Sequence, residues 1–152
     1  MPTLLVALLI AACSAMAYAA PEEETGALAA RASKGEAAAI VTLLQRAGAR
    51  DAEAQLRVAL FYFEGQVVER NLPLALEWLR KAAAQGQTQA MNLIGHMHQE
   101  GLGTPQDYVQ ARLWYRQAAE AGLPAAGNNL GWLYLKGLGT GKSPALAKEW
   151  FE

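Results

Sequence analysis

Apolar and small side chains recur every three or four residues from Ala54 to the end of the chain, and glycines break that rhythm at regular intervals. Such spacing puts the apolar positions on one face of a helix, and a glycine just beyond the last of them suits a left-handed stop. Three segments superpose without a gap at an offset of 36 residues: Ala54–Gly86, Ala90–Gly122 and Ala126–Glu152. Self-similarity at such a period marks a repeat architecture, in which each copy is one supersecondary unit that buries its apolar face against its neighbours.

Each copy predicts a leading helix, a turn and a trailing helix. Ala54, Ala90 and Ala126 open the leading helix on its packed face, and Val58, Ile94 and Leu130 follow one turn later. Ala59, Gly95 and Gly131 are small enough to let a second helix approach closely, while Phe61, Met97 and Leu133 add core volume. The leading helices stop at Gly65, Gly101 and Gly137. Asn71, Asp107 and Ser143 then share one register position, and all three residue types make good N-caps. Pro144 fits the first helical position, where a missing N–H costs nothing. The trailing helices carry Ala75, Ala111 and Ala147, then Trp78, Trp114 and Trp150. Because that tryptophan ladder has the repeat period, it is expected in the core with the following Leu79, Tyr115 and Phe151. Trp150 and Phe151 arrive just before the terminus. A helix so short depends on tertiary packing, so either its last turn is lost or a partner or second copy covers it.

Upstream, Thr25–Arg50 predicts two more helices, the first capped by Thr25 and ended by Gly35, the second over Glu36–Ala47 with Ile40, Leu43, Leu44 and Ala47 on one face. Residues 21–50 read as a degenerate capping repeat, since the ends of a stack must close it off. The first twenty residues carry no charged side chain, and Leu4–Ala12 is an apolar run too short to span a bilayer comfortably. Small residues follow, with cleavage expected after Ala17 or Ala19, which reads as a secretory signal peptide over residues 1–20. A second reading is a lipoprotein leader in which Cys13, after Ile10-Ala11-Ala12, is lipidated and anchors the chain to a membrane. A third is an uncleaved leader. Cys13 is the one cysteine, so no internal disulfide framework exists.

One stretch imitates a nucleotide site. Gly137-Leu138-Gly139-Thr140-Gly141-Lys142-Ser143 has the second half of a phosphate-binding loop, but the position five before Gly141 is Lys136, and a helix rather than a strand is predicted before it. In the repeat register Lys142 aligns with Gln106 and Ser143 is an N-cap, so the stretch is a helix–helix connection. Acidic and basic residues nearly balance, with a net charge of −1, which gives no electrostatic reason to expect nucleic acid as a partner.

The second copy carries Ile94-Gly95, Gly101, Gly103, Asp107, Ala111, Trp114-Tyr115, Ala118-Ala119 and Gly122. This pattern resembles the Sel-one-like repeats, relatives of the tetratricopeptide repeat, over residues 51–152. Val67 replaces the second loop glycine in the first copy, His98 stands where the other copies have Tyr62 and Tyr134, and the third copy is incomplete. The resemblance implies an all-α, right-handed solenoid of antiparallel helix pairs. Together with the leader it points to an exported protein–protein interaction module or scaffold of a bacterial envelope. The leading helices of such a solenoid line its concave wall. The positions left free there are Leu56, Leu60 and Phe63 in the first copy, Asn92, His96 and Gln99 in the second, and Asn128, Trp132 and Leu135 in the third. The expected partner is a protein or an extended peptide, whose backbone a carboxamide holds without demanding a sequence.

Chemistry-bearing clusters add little. His96 and His98 lie two apart on a helix and point in nearly opposite directions, so neither a metal nor any cofactor is expected. His98 is expected as a packing residue. No nucleophile elbow, carboxylate pair or Cys–His pairing lies beyond the leader. Exported family members that act on β-lactams carry a cysteine pair in each repeat, which this chain lacks. An enzyme acting on peptidoglycan or β-lactams is therefore the alternative, beside a homo-oligomeric structural protein joined through the C-terminal helix.

Overall fold

The computed structural model describes residues 24–152. The leader, its cleavage sites and Cys13 lie outside the described residues. Those described form eight helices: α1 (Thr25–Ser33), α2 (Ala37–Gly48), α3 (Ala52–Glu64), α4 (Leu72–Ala83), α5 (Thr88–Glu100), α6 (Tyr108–Glu120), α7 (Pro124–Lys136) and α8 (Pro144–Phe151). They fall into two compact units, the first ending at Ala82 and the second running from Ala83 to Glu152.

In the first unit α2 packs on α1 and α3, and α1 also meets α3. The core gathers Leu28, Ala32, Ala39, Leu43, Ala47, Ala54 and Val58, with Ile40, Leu44, Phe61, Tyr62 and Trp78 packed against it. Two upstream expectations shift. Thr25 lies inside α1, and Glu24 takes the cap position without a side-chain hydrogen bond. The Thr25 hydroxyl instead donates to Asp51 Oδ2 at 3.0 Å and accepts from Arg46 Nη1 at 3.1 Å. Asp51 Oδ1 accepts from the Ala54 amide at 3.0 Å and so caps α3. The three side chains tie the start of α1 to the α2–α3 corner, where Arg50 adopts a positive φ of 68°.

In the second unit α5 packs on α6, α6 on α7 and α7 on α8. Ala111, Tyr115, Leu130, Leu133, Tyr134 and Ala147 form its core, with Tyr108, Leu138 and Trp150 against them. Here the small-residue positions do what their spacing predicts. A Cβ on Gly95 would lie 2.6 Å from the Tyr115 ring, and one on Gly131 would lie 2.6 Å from the Phe151 ring.

The three turns share one closure. The amides of Asn71, Asp107 and Ser143 donate to the carbonyls of Tyr62, His98 and Tyr134 at 2.8, 2.8 and 2.9 Å. The bond is backbone to backbone, so His98 substitutes for tyrosine without loss of the turn. The same three residues then cap the trailing helices. Asn71 Oδ1 accepts from Leu74 N, Asp107 Oδ1 from Val109 N and Gln110 N, and Ser143 Oγ from Leu146 N. Gly65, Gly101 and Gly137 sit at left-handed φ of 73°, 69° and 72°. Gly103 and Gly139 are left-handed too, whereas Val67 at the same register position is not. The first turn therefore takes a different path between the same anchors. Ser143 caps α8 beyond α7, so the phosphate-loop look-alike is a helix–helix connection.

Candidate functional site

The nine sequence-selected positions separate into three kinds of environment. In the first unit Leu56 is 2 % exposed and offers a partner no surface, while Leu60 and Phe63 are half-buried. The Phe63 carbonyl accepts from Arg70 Nε at 3.1 Å, the counterpart of the Gln106 Nε2 bond to the Gln99 carbonyl at 2.8 Å.

In the second unit Asn92, His96 and Gln99 are half-buried on α5. Asn92 Oδ1 accepts from Asn129 Nδ2 of α7 at 2.9 Å. Gln99 Oε1 accepts from the Tyr115 hydroxyl at 3.1 Å, and Gln99 Nε2 donates to Glu100 Oε1 at 2.8 Å. Both carboxamides are thus engaged inside the unit, one bridging α5 to α7 and one bracing α6. Burial raises the Tyr115 phenol well above its ordinary range, and the charge of Glu100 adds to the shift. Burial also raises Tyr62 in the first unit. His98 is 8 % exposed, the packing residue its position predicts. His96 Nδ1 is sealed from solvent without a hydrogen-bond partner. Among the described residues no three His, Cys, Asp or Glu side chains come together as a metal-ligand group. None of the described helices is long and apolar enough to cross a membrane.

On α7 the structure brings three of the nine positions together on open surface. Asn128, Trp132 and Leu135 stand at i, i+4 and i+7, one face of the helix. All three are exposed, Trp132 at 41 % and Leu135 at 38 %. From Pro124 to Leu135 the helix has no charged side chain; Lys136 is the first.

Two further residues touch α7 or lie on it without being marked by the repeat pattern as functional. Phe151 lies over Gly131, yet is 49 % exposed, whereas its register equivalents Leu79 and Tyr115 are 0 % and 1 %. That inequality is a matter of neighbours, and the repeat alignment alone predicts burial for all three. Asn129, the donor to Asn92, turns toward α5, and the repeat pattern does not mark it, since its register equivalents are Leu93 and Arg57. The tryptophans lie at the edge of the core rather than at its centre, with Trp78 and Trp150 packed against it. Trp78, Trp114 and Trp150 are half-buried, and full burial falls on the next residue, Leu79 or Tyr115. Lys81 Nζ sits 3.9 Å from the centroid of the Trp78 ring, a cation–π contact at the edge of the packing.

Comparison with known proteins gives this frame a family. Sel1 repeats match residues 52–87, 88–123 and 124–152, so the matched register is the one the 36-residue offset marks. No curated protein sequence matches the chain. Among solved structures, a protective antigen of uropathogenic Escherichia coli strains with an SLR fold is 41 % identical, with a TM-score of 0.72 over 74 % of this chain. The match spans only 24 % of that antigen's length. A Sel1 repeat protein from Oxalobacter formigenes is 34 % identical, with a TM-score of 0.70 over 72 % of this chain and 84 % of its own. The fold is the all-α solenoid of helix pairs that the sequence implies. The chain belongs to the Sel1 repeat family.

Proposed function

We propose that this chain is an exported interaction module of a bacterial envelope and that it holds a protein partner on the exposed face of α7. Sel1 repeats are in general protein–protein interaction modules. The observation that carries the finer reading is the uncharged stripe Asn128–Trp132–Leu135, with Trp132 at 41 % exposure. Interface centres are depleted of charge and enriched in aromatic residues, and tryptophan is over-represented among the residues that carry binding energy. Export is supported by the uncharged leader with its apolar run and small-residue cleavage sites. The likeness to a protective antigen fits a location outside the cytoplasm.

The test is a pull-down from envelope extract with the wild type and with Asn128→Ala/Trp132→Ala. Both substitutions fall on exposed side chains, so helicity by circular dichroism should be unchanged. A protein retained by the wild type and lost by the variant places the contact on α7. Equal retention by both moves it elsewhere.

A further inference from the structure

We propose that the outer face of α6, formed by Val109, Arg112, Leu113 and Arg116, is a second docking surface and that it receives an acidic amphipathic helix of a partner protein. This surface is separate from the α7 face and stands without it.

Register shows where α6 departs from the other trailing helices. Arg112 holds the position of Leu76, which is 4 % exposed in the first copy. Leu113 holds the position of Glu77 and Glu149, both of them exposed. Relative to the first copy, α6 therefore has a cation at the covered position and a leucine at the open one. Neither change serves the core. Leu113 is 37 % exposed, and Val109, one turn earlier, is 47 % exposed. Arg112 is half-buried, and its Nε is sealed from solvent with no hydrogen-bond partner. Lys148, at the same position in the third copy, is by contrast well exposed and lies 3.5 Å from Glu152.

Charge then selects the occupant. A covered guanidinium N–H without an acceptor is costly, and a carboxylate satisfies it with the strong, forked geometry that arginine favours. Because the Arg112 stem is already held down, little ordering remains to be done on binding. Arg116, one turn on, offers a second cation, shared at 3.2 Å with Glu120 at the exposed end of the helix. Val109, Arg112, Leu113 and Arg116 stand at i, i+3, i+4 and i+7, so cations and apolar side chains alternate along one face. A helix with carboxylates and apolar side chains at the same spacing is its complement. An anionic membrane fits less well. A bilayer is a plane, and it would also meet Glu149 and Glu152, which the register places on the corresponding face of α8 and which are exposed.

The experiment is fluorescence anisotropy with two labelled, stapled helical peptides titrated with the purified chain. One carries leucine at i and i+4 and glutamate at i+3 and i+7; the other is identical but has lysine for glutamate. The acidic peptide should bind with a Kd below about 100 μM and the lysine peptide should not. Arg112→Leu and Leu113→Glu should each weaken the acidic peptide by at least about ten-fold. Each substitution installs a residue that another copy has at that position, so the fold should hold, as circular dichroism checks. Arg116→Gln, on an exposed side chain, replaces Arg112→Leu if the latter unfolds.

An acidic peptide that stays unbound at about 100 μM overturns the proposal, and so do two peptides bound equally well. Binding indifferent to both substitutions overturns the site on α6. If Trp132→Ala abolishes that binding instead, the peptide sits on α7, and the α7 reading survives the loss of this one. Co-sedimentation with phosphatidylglycerol vesicles that depends on Arg112, in a chain that binds neither peptide, replaces the protein partner with an anionic membrane and overturns the proposal in that form.

Discussion

Gly95→Ala adds one methyl group where Tyr115 already fills the space. The new Cβ would sit 2.6, 2.7 and 3.2 Å from three ring carbons, well inside ordinary contact distance. The ring has little room to retreat, since Tyr115 is 1 % exposed and its hydroxyl is held by Gln99 Oε1 at 3.1 Å. Alanine gains about 1 kcal/mol over glycine in a helix interior. Overpacking a filled site costs about 1–3 kcal/mol. The net expectation is a loss of about 0–2 kcal/mol, against the gain an open site would give. Tyr115→Leu alone should cost about 1–3 kcal/mol, from lost ring volume and the lost hydrogen bond to Gln99. The first repeat shows the compatible pairing, because Ala59 and Leu79 hold these two positions and both are 0 % exposed. In the Tyr115→Leu background, Gly95→Ala should therefore stabilise by about 1 kcal/mol. The four proteins form a double-mutant cycle, read by urea unfolding at 222 nm with slopes compared to confirm a common transition. A coupling of about 1–3 kcal/mol is expected. The reasoning fails if Gly95→Ala stabilises the wild type by the full ~1 kcal/mol, or if the cycle closes within about 0.5 kcal/mol.

Truncating the buried member of the aromatic pair should outweigh truncating its neighbour: Tyr115→Ala should cost about 3–5 kcal/mol and Trp114→Ala less, by thermal melts. Asp107 accepts from two amides at 2.9 and 3.0 Å, Ser143 from one at 3.3 Å. Asp107→Ala should accordingly lose about 1–2 kcal/mol in urea and Ser143→Ala no more than about 1 kcal/mol. The Tyr115 phenol is raised in the folded state from 10.0, so above about pH 10 the unfolded chain gives up a proton that the folded chain keeps. The contribution of Tyr115 is intact below pH 10 and is lost as pH rises toward the folded value; Tyr115→Phe should flatten that fall in a pH series of melts. Lys142→Ala should shift stability by less than about 0.5 kcal/mol, because Ser143 and not Lys142 caps α8.

Much of the frame was legible because each repeated position has a local cause. A left-handed stop needs glycine, a helix start needs a short polar side chain, and a close crossing needs a missing Cβ. Gly101, Asp107 and Gly95 could each be read on those grounds alone, and the structure places each in that role. Thr25 misled because hydroxyl residues suit both caps and side-chain networks, and the choice was decided by Asp51, 26 residues away. The tryptophans fall short of full burial for another reason. Period identifies which residues are equivalent, but which of two adjacent aromatic positions faces inward depends on how the helices are rotated. Tyr115 was expected in the core and is buried there; that it and not Trp114 fills the space over Gly95 became visible only with the helix pair in place.

The candidate site was less legible because it lies on positions where equivalence stops predicting burial. The series Leu56, Asn92, Asn128 runs from buried to half-buried to exposed, and Leu79, Tyr115, Phe151 from 0 % and 1 % to 49 %. A repeat specifies the packing inside each copy, while the state of its outward face is set by whatever lies against it. Sequence at such positions must suit the neighbour rather than the frame, which is why they vary while the glycines and caps hold. A helix kept in water would be expected to carry charge on its open face, as α3 carries Glu53, Arg57 and Glu64. On α7 the residues from Pro124 to Leu135 carry none, and the open face presents tryptophan and leucine instead. That is the composition of a docking face, low in charge and carrying an aromatic, and it is what the proposed partner contact on α7 rests on.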